Sequence, residues 1–214
     1  MRYICIFLTM FISSVIFTGG VLICEAVDCE LQKTDEKKKK TAKLLIFCFL
    51  ILAAIMKSGS GMEAEQGTAC IFAVQEGLFW ASMALAAYSD YCTLQVWDFV
   101  YLPAVIAGIL RVVFSRLTAE VFGDLLFFIG FQWLVMRVLF RGRYGESDCI
   151  AFSVCALYLA GKGGTLLQYT VHMAIAYILL GLIQAFKGNI NKHGNLKKNT
   201  AFIPYIAAAM LICG

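Results

Sequence analysis

The stretch that decides the fold is Arg141-Gly-Arg-Tyr-Gly-Glu-Ser-Asp148, a short charged interruption in a chain that is otherwise mostly apolar. An apolar run, Leu125–Phe140, leads into it, and a second run, Cys149–Ala160, follows it. Consecutive apolar runs separated by charged clusters are typical of helices packed in a lipid bilayer. An acidic residue at the edge of such a run is costly unless it has a partner or a function. Asp148 is therefore the first candidate functional residue of the chain.

The composition supports a membrane location. Of the 214 residues, 61% are hydrophobic and 15% are charged, whereas about 25% of the residues of an ordinary soluble domain are charged. This excludes a water-soluble globular domain. The net charge of +4 comes from lysines and arginines grouped in a few loops, so nucleic acid is not an expected partner. The 9 cysteines form no CxxC pair, and no metal site is predicted.

The apolar pattern predicts an all-α membrane protein, a polytopic bundle of about eight transmembrane segments in one domain that covers residues 1–214. The first segment resembles a signal peptide, but no A-x-A cleavage site follows it, and we interpret it as a retained span. A polar loop with six lysines, Glu25–Lys43, follows. The predicted segments are residues 3–23, 44–56, 68–88, 96–114, 121–140, 148–160, 165–186 and 200–213.

The distribution of lysine and arginine orients this bundle, because cytoplasmic loops of membrane proteins are enriched in both. With the six-lysine loop in the cytoplasm, the loops on that side hold 12 Lys and Arg residues, against 4 on the other side. Both termini are then outside. Asp90, directly after the third segment, and Asp148, at the start of the sixth, lie at the same cytoplasmic membrane face, while Asp124 lies at the opposite face.

Two carboxylates at one membrane face are the arrangement of an aspartic protease. One group acts as a base on a water molecule and the other as an acid, and the two share a proton when they lie close together. This chemistry needs no cofactor, and none is predicted. Each acid also has a structural interpretation, Asp148 as the cap of the sixth helix and Asp90 as an interfacial loop residue.

The two motifs that contain these acids resemble those of the type IV prepilin peptidases, a family of membrane aspartic proteases. Gly145-Glu-Ser-Asp148 is similar to the GxGD motif of that family. Asp90, followed six residues later by the aliphatic Val96, is similar to its first motif. The resemblance implies that Asp90 and Asp148 are the catalytic pair and that Gly145 and Ser147 are substrate-binding or motif residues beside the second acid.

Two further segments extend the resemblance to residues 70–214. Ala156–Gly161 resembles the small, apolar helix that follows GxGD, and Ile203–Ala207 resembles the last segment of the family. The chain departs from the family at Ser147, which stands where the second glycine of the motif is usual. It also has no zinc-binding cytoplasmic insertion of the kind that larger members carry, so it is similar to the compact form.

The resemblance implies a prepilin or pseudopilin as the substrate, with a short basic leader and an apolar helix that lies in the same lipid bilayer. Cleavage would take place at the cytoplasmic face of a bacterial plasma membrane, where Asp90 and Asp148 are expected.

Other functions and another acid pair stay open at this point. The chain could be a GxGD intramembrane protease with other substrates, or a catalytically weak scaffold subunit of a pilus or secretion system, which the departure at Ser147 favours. A small transporter would need an acid near the bilayer midplane, and Glu76 is the candidate. Asp98 competes with Asp90 as the partner of Asp148, although its simplest role is that of an acid at a helix start.

Overall fold

The structure, a computed structural model, describes residues 2–57, 66–115, 117–135, 138, 145–188 and 200–214. All regular structure within these ranges is helical, which confirms the all-α prediction. The helices are α1 (Arg2–Val27), α2 (Cys29–Lys33), α3 (Glu36–Lys57), α4 (Gln66–Thr93), α5 (Leu102–Ser115), α6 (Ala119–Leu134), α7 (Glu146–Ala160), α8 (Leu166–Phe186) and α9 (Ile203–Cys213). A 3-10 turn, Asp98–Tyr101, leads directly into α5.

Among the described residues, four helical stretches are long and apolar enough to cross a membrane. They are Tyr3–Val27, Thr68–Thr93, Asp98–Ser115 and Leu166–Phe186. Such lengths are compatible with a multi-pass membrane protein. Each of the other predicted segments also contains a helix, but α6, α7 and α9 have only 16, 15 and 11 residues.

The segment Glu25–Lys43, predicted as a polar loop, is mostly helical, and that prediction is wrong. It contains the end of α1, all of α2 and the start of α3. The Asp28 carboxylate starts α2, because its Oδ1 accepts hydrogen bonds from the backbone N–H groups of Glu30 at 2.9 Å and Leu31 at 3.2 Å. The lysines that follow are good helix formers, so α3 begins well before its apolar part.

α4 also extends beyond its predicted end, with the result that Asp90 lies in the last turn of a helix and not in a loop. Thr93 is the last residue of the helix. Leu94 follows with a φ of 60°, in the left-handed region, and its N–H donates a 2.9 Å hydrogen bond to the Asp90 carbonyl oxygen. A residue in this conformation is a common helix terminator.

The centre of the bundle is formed by α4 and α7. In α4, 72% of the apolar window is buried, against 22%, 33% and 17% in the other three candidate spans. Beyond its polar first turn, α7 is mostly apolar and mostly buried from Cys149 to Ala160, which is typical of a helix enclosed by others. The rings of Phe79 in α4 and Tyr158 in α7 stack at 3.9 Å between centroids. α5 and α9 each pack against both central helices, and each central helix carries one of the two candidate aspartates.

Candidate functional site

Asp90 is held at the end of α4 by the beginning of α9. Its side chain is buried, with 7% of the residue exposed. Oδ2 accepts a 2.8 Å hydrogen bond from the backbone N–H of Ile203, the first residue of α9, and the N–H of Phe202 also donates to the carboxylate. The first amides of a helix have no partner within the helix, so a carboxylate from elsewhere in the chain satisfies them.

Asp148 lies in the first turn of α7, half-buried. Gly145 is the N-cap of this helix, and its N–H donates to the Asp148 carboxylate. A Cβ atom at position 145 would lie 3.0 Å from Asp148 Oδ2, so this glycine leaves room for the carboxylate to fold back over the helix start. Asp148 is therefore not the N-cap of the helix, and the capping interpretation is wrong in that form; Asp148 is the third residue of α7 and accepts a hydrogen bond from the N-cap residue. Residues 141–144 of the charged interruption lie outside the described part of the chain.

Asp90 and Asp148 come from α4 and α7 at the same end of the bundle, where the 3-10 turn packs on both helices, and they are near enough for the charge of Asp90 to act on Asp148. Asp98 is not part of this pairing: it is exposed on the 3-10 turn, where it lines an open cleft of about 340 Å³ with Glu146 and Ser147. Of the two acids that compete on sequence grounds, Asp90 is buried and its charge acts on Asp148, whereas Asp98 is exposed; the choice of Asp90 as the catalytic partner stays a prediction.

Tyr101 is the site residue that the sequence does not identify. Its side chain is buried, and its hydroxyl donates a 3.1 Å hydrogen bond to the carbonyl oxygen of Ser147. The charges of Asp148, Asp90 and Asp98 all act on its phenol group. Because the 3-10 turn packs on both α4 and α7, Tyr101 fixes the start of α7 relative to α4. An aromatic residue in an apolar run usually packs in the hydrophobic core, so the sequence alone does not indicate this role. The hydrogen bond to Ser147 does.

Ser147, the departure from the GxGD pattern, occupies an ordinary helical position. It is the second residue of α7. Leu94 is the one non-glycine residue with a positive φ among those the structure describes. A serine at position 147 therefore costs no backbone strain, because a glycine is required only where φ is positive.

Asp124 lies far from this pair, as the predicted topology requires. Its Oδ2 accepts a 2.9 Å hydrogen bond from the N–H of Leu166, at the start of α8. The opposite end of α8, about 30 Å away for a helix of this length, is the one that meets the end of α4, since Lys187 and Tyr91 line the same cavity. Asp124 therefore belongs to the other end of the bundle.

Glu76 forms a buried ion cluster in the interior. Its Oε1 lies 3.0 Å from Lys162 Nζ and 3.4 Å from Arg111 Nη1, and Oε2 accepts a 3.1 Å hydrogen bond from the indole N–H of Trp80. Glu76 precedes Asp90 by 14 residues on the same helix, which corresponds to about 21 Å. Glu76 is therefore paired with two cations and lies apart from the two candidate aspartates.

No group of three or more His, Cys, Asp or Glu residues that could hold a metal ion occurs in the described ranges. Comparison of the chain with models of protein families, with curated proteins and with solved structures gives no match. The functional argument therefore depends on the geometry of the aspartate pair.

Proposed function

We propose that this protein is a membrane aspartic endopeptidase of the prepilin-peptidase type, with Asp90 and Asp148 as its catalytic pair. The observation that carries the proposal is that a buried and a half-buried carboxylate, from different helices and 58 positions apart in the sequence, lie at one end of the bundle core. At this end the Tyr101 hydroxyl is hydrogen-bonded to the Ser147 carbonyl oxygen, and the charge of Asp90 acts on Asp148. The similarity of Gly145–Asp148 to the GxGD motif supplies the family.

The proposed reaction is hydrolysis of a peptide bond by a water molecule held between the two carboxylates. One carboxylate removes a proton from the water, the hydroxyl attacks the scissile carbonyl, and the other carboxyl protonates the leaving amine. Tyr101 keeps the first turn of α7, and therefore Asp148, in place through its hydrogen bond to Ser147. No metal or cofactor takes part in this scheme.

The proposed substrate is a prepilin or pseudopilin, with a basic leader followed by an apolar helix. In this scheme the bundle crosses a bacterial plasma membrane about eight times, with the lysine-rich end and the aspartate pair at the cytoplasmic face. The excess of lysine and arginine in the loops on that side supports this orientation. A GxGD protease with other substrates uses the same pair, and only a cleavage assay on several substrates separates it from a prepilin peptidase.

The test is leader removal from a co-expressed prepilin of the same genome, followed on a gel. Asp90→Asn and Asp148→Asn should each abolish cleavage, because neither amide can exchange the proton. Two matched controls remove other carboxylates: Asp98→Asn at the exposed cleft and Asp124→Asn at the far end of the bundle. Both controls should cleave like the parent chain. Cleavage that survives in Asp90→Asn and in Asp148→Asn would rule out the pair as the catalytic centre.

A scaffold subunit is the second candidate, and one observation favours it. The Asp90 carboxylate accepts hydrogen bonds from the N–H groups of Ile203 and Phe202, which is a structural role that requires no chemistry. A scaffold would leave the prepilin uncleaved in the parent chain, and it would be retained with pilus proteins when the membrane is solubilised. A peptidase would instead release the processed substrate.

A further inference from the structure

A cavity of about 500 Å³ opens between α3, α4, α8 and α9, at the same end of the bundle as Asp90. Its walls are mainly apolar, and they include Leu45 and Ile46 of α3 and Ile183 of α8. Two lysines, Lys38 and Lys187, also line it. Among the described residues that line the cavity, none is acidic.

The lining changes from apolar to cationic along each helix. On α3, Lys38 lies near the helix start, and Leu45 follows seven residues later on the same face, about 10 Å deeper in the bundle. On α8, Ile183 lies one turn before Lys187, which is the C-cap. The two lysines therefore lie at the outer end of the cavity and the aliphatic side chains at its inner end.

Lys38 is held in position at this outer end. Its Nζ donates a 3.0 Å hydrogen bond to the carbonyl oxygen of Cys92 in the last turn of α4, and it lies 5.3 Å from the centroid of the Tyr91 ring. An ammonium group has three donors, and the Cys92 carbonyl takes one of them. Lys38 therefore presents a fixed positive charge at the mouth of the cavity.

We propose that this cavity binds an anionic phospholipid, with its phosphate at Lys38 and Lys187 and one acyl chain along Leu45, Ile46 and Ile183. The charge selects an anionic head group, and the apolar inner part requires an attached hydrocarbon chain, which a free phosphate does not have. The two lysines, with no acid among the described residues that line the cavity, would repel the basic leader of a prepilin, so the cavity does not fit that substrate. The proposal is independent of the peptidase activity.

The head-group test measures lipid binding by the full chain in detergent, using native mass spectrometry with dioleoyl phosphatidylglycerol and dioleoyl phosphatidylcholine. The parent chain should retain phosphatidylglycerol in preference to phosphatidylcholine. The double variant Lys38→Gln/Lys187→Gln should lose about tenfold in affinity for phosphatidylglycerol, because each lysine near an anionic head group contributes several-fold. The matched control Lys33→Gln/Lys37→Gln changes two exposed lysines that do not line the cavity, and it should bind like the parent.

The acyl-chain test fills the inner part of the cavity. Ile183→Trp should abolish the preference for phosphatidylglycerol, while Ile178→Trp, on an exposed surface of the same helix, should preserve it. This pair decides the question even if the lysine variant does not fold. Equal binding of the two lipids by the parent chain, or equal loss in both members of either variant pair, would overturn the proposal. Displacement of the lipid by inorganic phosphate at the same concentration would also overturn it, since it would indicate a site for phosphate alone.

Discussion

The carboxylate of Asp90 accepts a 2.8 Å hydrogen bond from the backbone N–H of Ile203, 113 residues later in the chain. The end of α4 is thereby joined to the start of α9. Pro204, the next residue of α9, has no backbone N–H group. The N–H of Ile203 is therefore one of the few free donors in the first turn of this helix. The proposed catalytic acid is therefore also a structural cap, and the two roles need separate measurements.

The two roles of Asp90 should separate in a pair of substitutions. Asp90→Ala removes the acceptor and leaves the buried Ile203 N–H without a partner, so we expect a loss of about 1–3 kcal/mol in the free energy of unfolding. Asp90→Asn keeps an acceptor oxygen and should lose much less stability, yet it should be equally inactive. Thermal unfolding in detergent and leader cleavage measure the two effects. Equal stability of the two variants would show that the hydrogen bond contributes little to the fold.

Tyr101→Phe should reduce cleavage without abolishing it. The substitution keeps the ring in the core and removes the hydroxyl that donates to the Ser147 carbonyl oxygen, so the start of α7 loses one constraint. We expect a loss of about 1 kcal/mol in stability and a lower kcat with little change in KM. Tyr169→Phe is a suitable control, because its hydroxyl also donates to a backbone carbonyl oxygen, that of Gly164, at the end of the bundle where Asp124 lies. Equal effects of both variants on kcat would contradict a positioning role for Tyr101.

Ser147→Gly restores the GxGD pattern, and we expect it to leave cleavage within about twofold of the parent chain. Ser147 already has a helical backbone, so the glycine relieves no strain. It should instead cost up to about 1 kcal/mol in stability, because glycine loses more conformational freedom in a helix than serine does. A large gain of activity, measured by the rate of leader removal, would show that the serine hydroxyl interferes with catalysis.

Glu76→Gln should be among the most damaging single substitutions in the chain. It leaves Arg111, which is buried, beside Lys162 with no opposite charge between them. We expect a loss of about 3 kcal/mol or more in the free energy of unfolding, since removing one member of a buried ion cluster leaves uncompensated charge. Glu120→Gln, at an exposed helix start, is the control and should change little. Mild destabilisation by Glu76→Gln would mean that water reaches the cluster.

The sequence allowed the positions of the helices to be predicted, since each apolar run corresponds to a helix. It did not give the ends of these helices. The charged lysines of residues 33–43 give this segment a low hydropathy, which predicts a loop. Lysine also favours helix formation, and α3 begins at Glu36. Likewise, Asp90 was expected just beyond α4, but the helix ends only where Leu94 takes a positive φ.

The candidate site was predictable only in part. Topology and a motif predict Asp90 and Asp148 as a pair, and the structure places both near the same end of the bundle core, the first at the end of α4 and the second at the start of α7. The contacts that define the site come from segments in which no sequence motif indicates a functional residue. Tyr101 looks like a core aromatic, and the N–H of Ile203 is a backbone group whose partner depends on how α9 packs.

The link between Asp90 and α9 has a consequence for the timing of synthesis. A ribosome makes α4 long before α9, and until α9 is inserted the Asp90 carboxylate lacks the amides that hold it. In a nascent chain, therefore, α1 to α8 can be in place while the hydrogen bonds to the Asp90 carboxylate are still missing. The Asp90 carboxylate therefore reaches its final arrangement only when α9 docks against the end of α4.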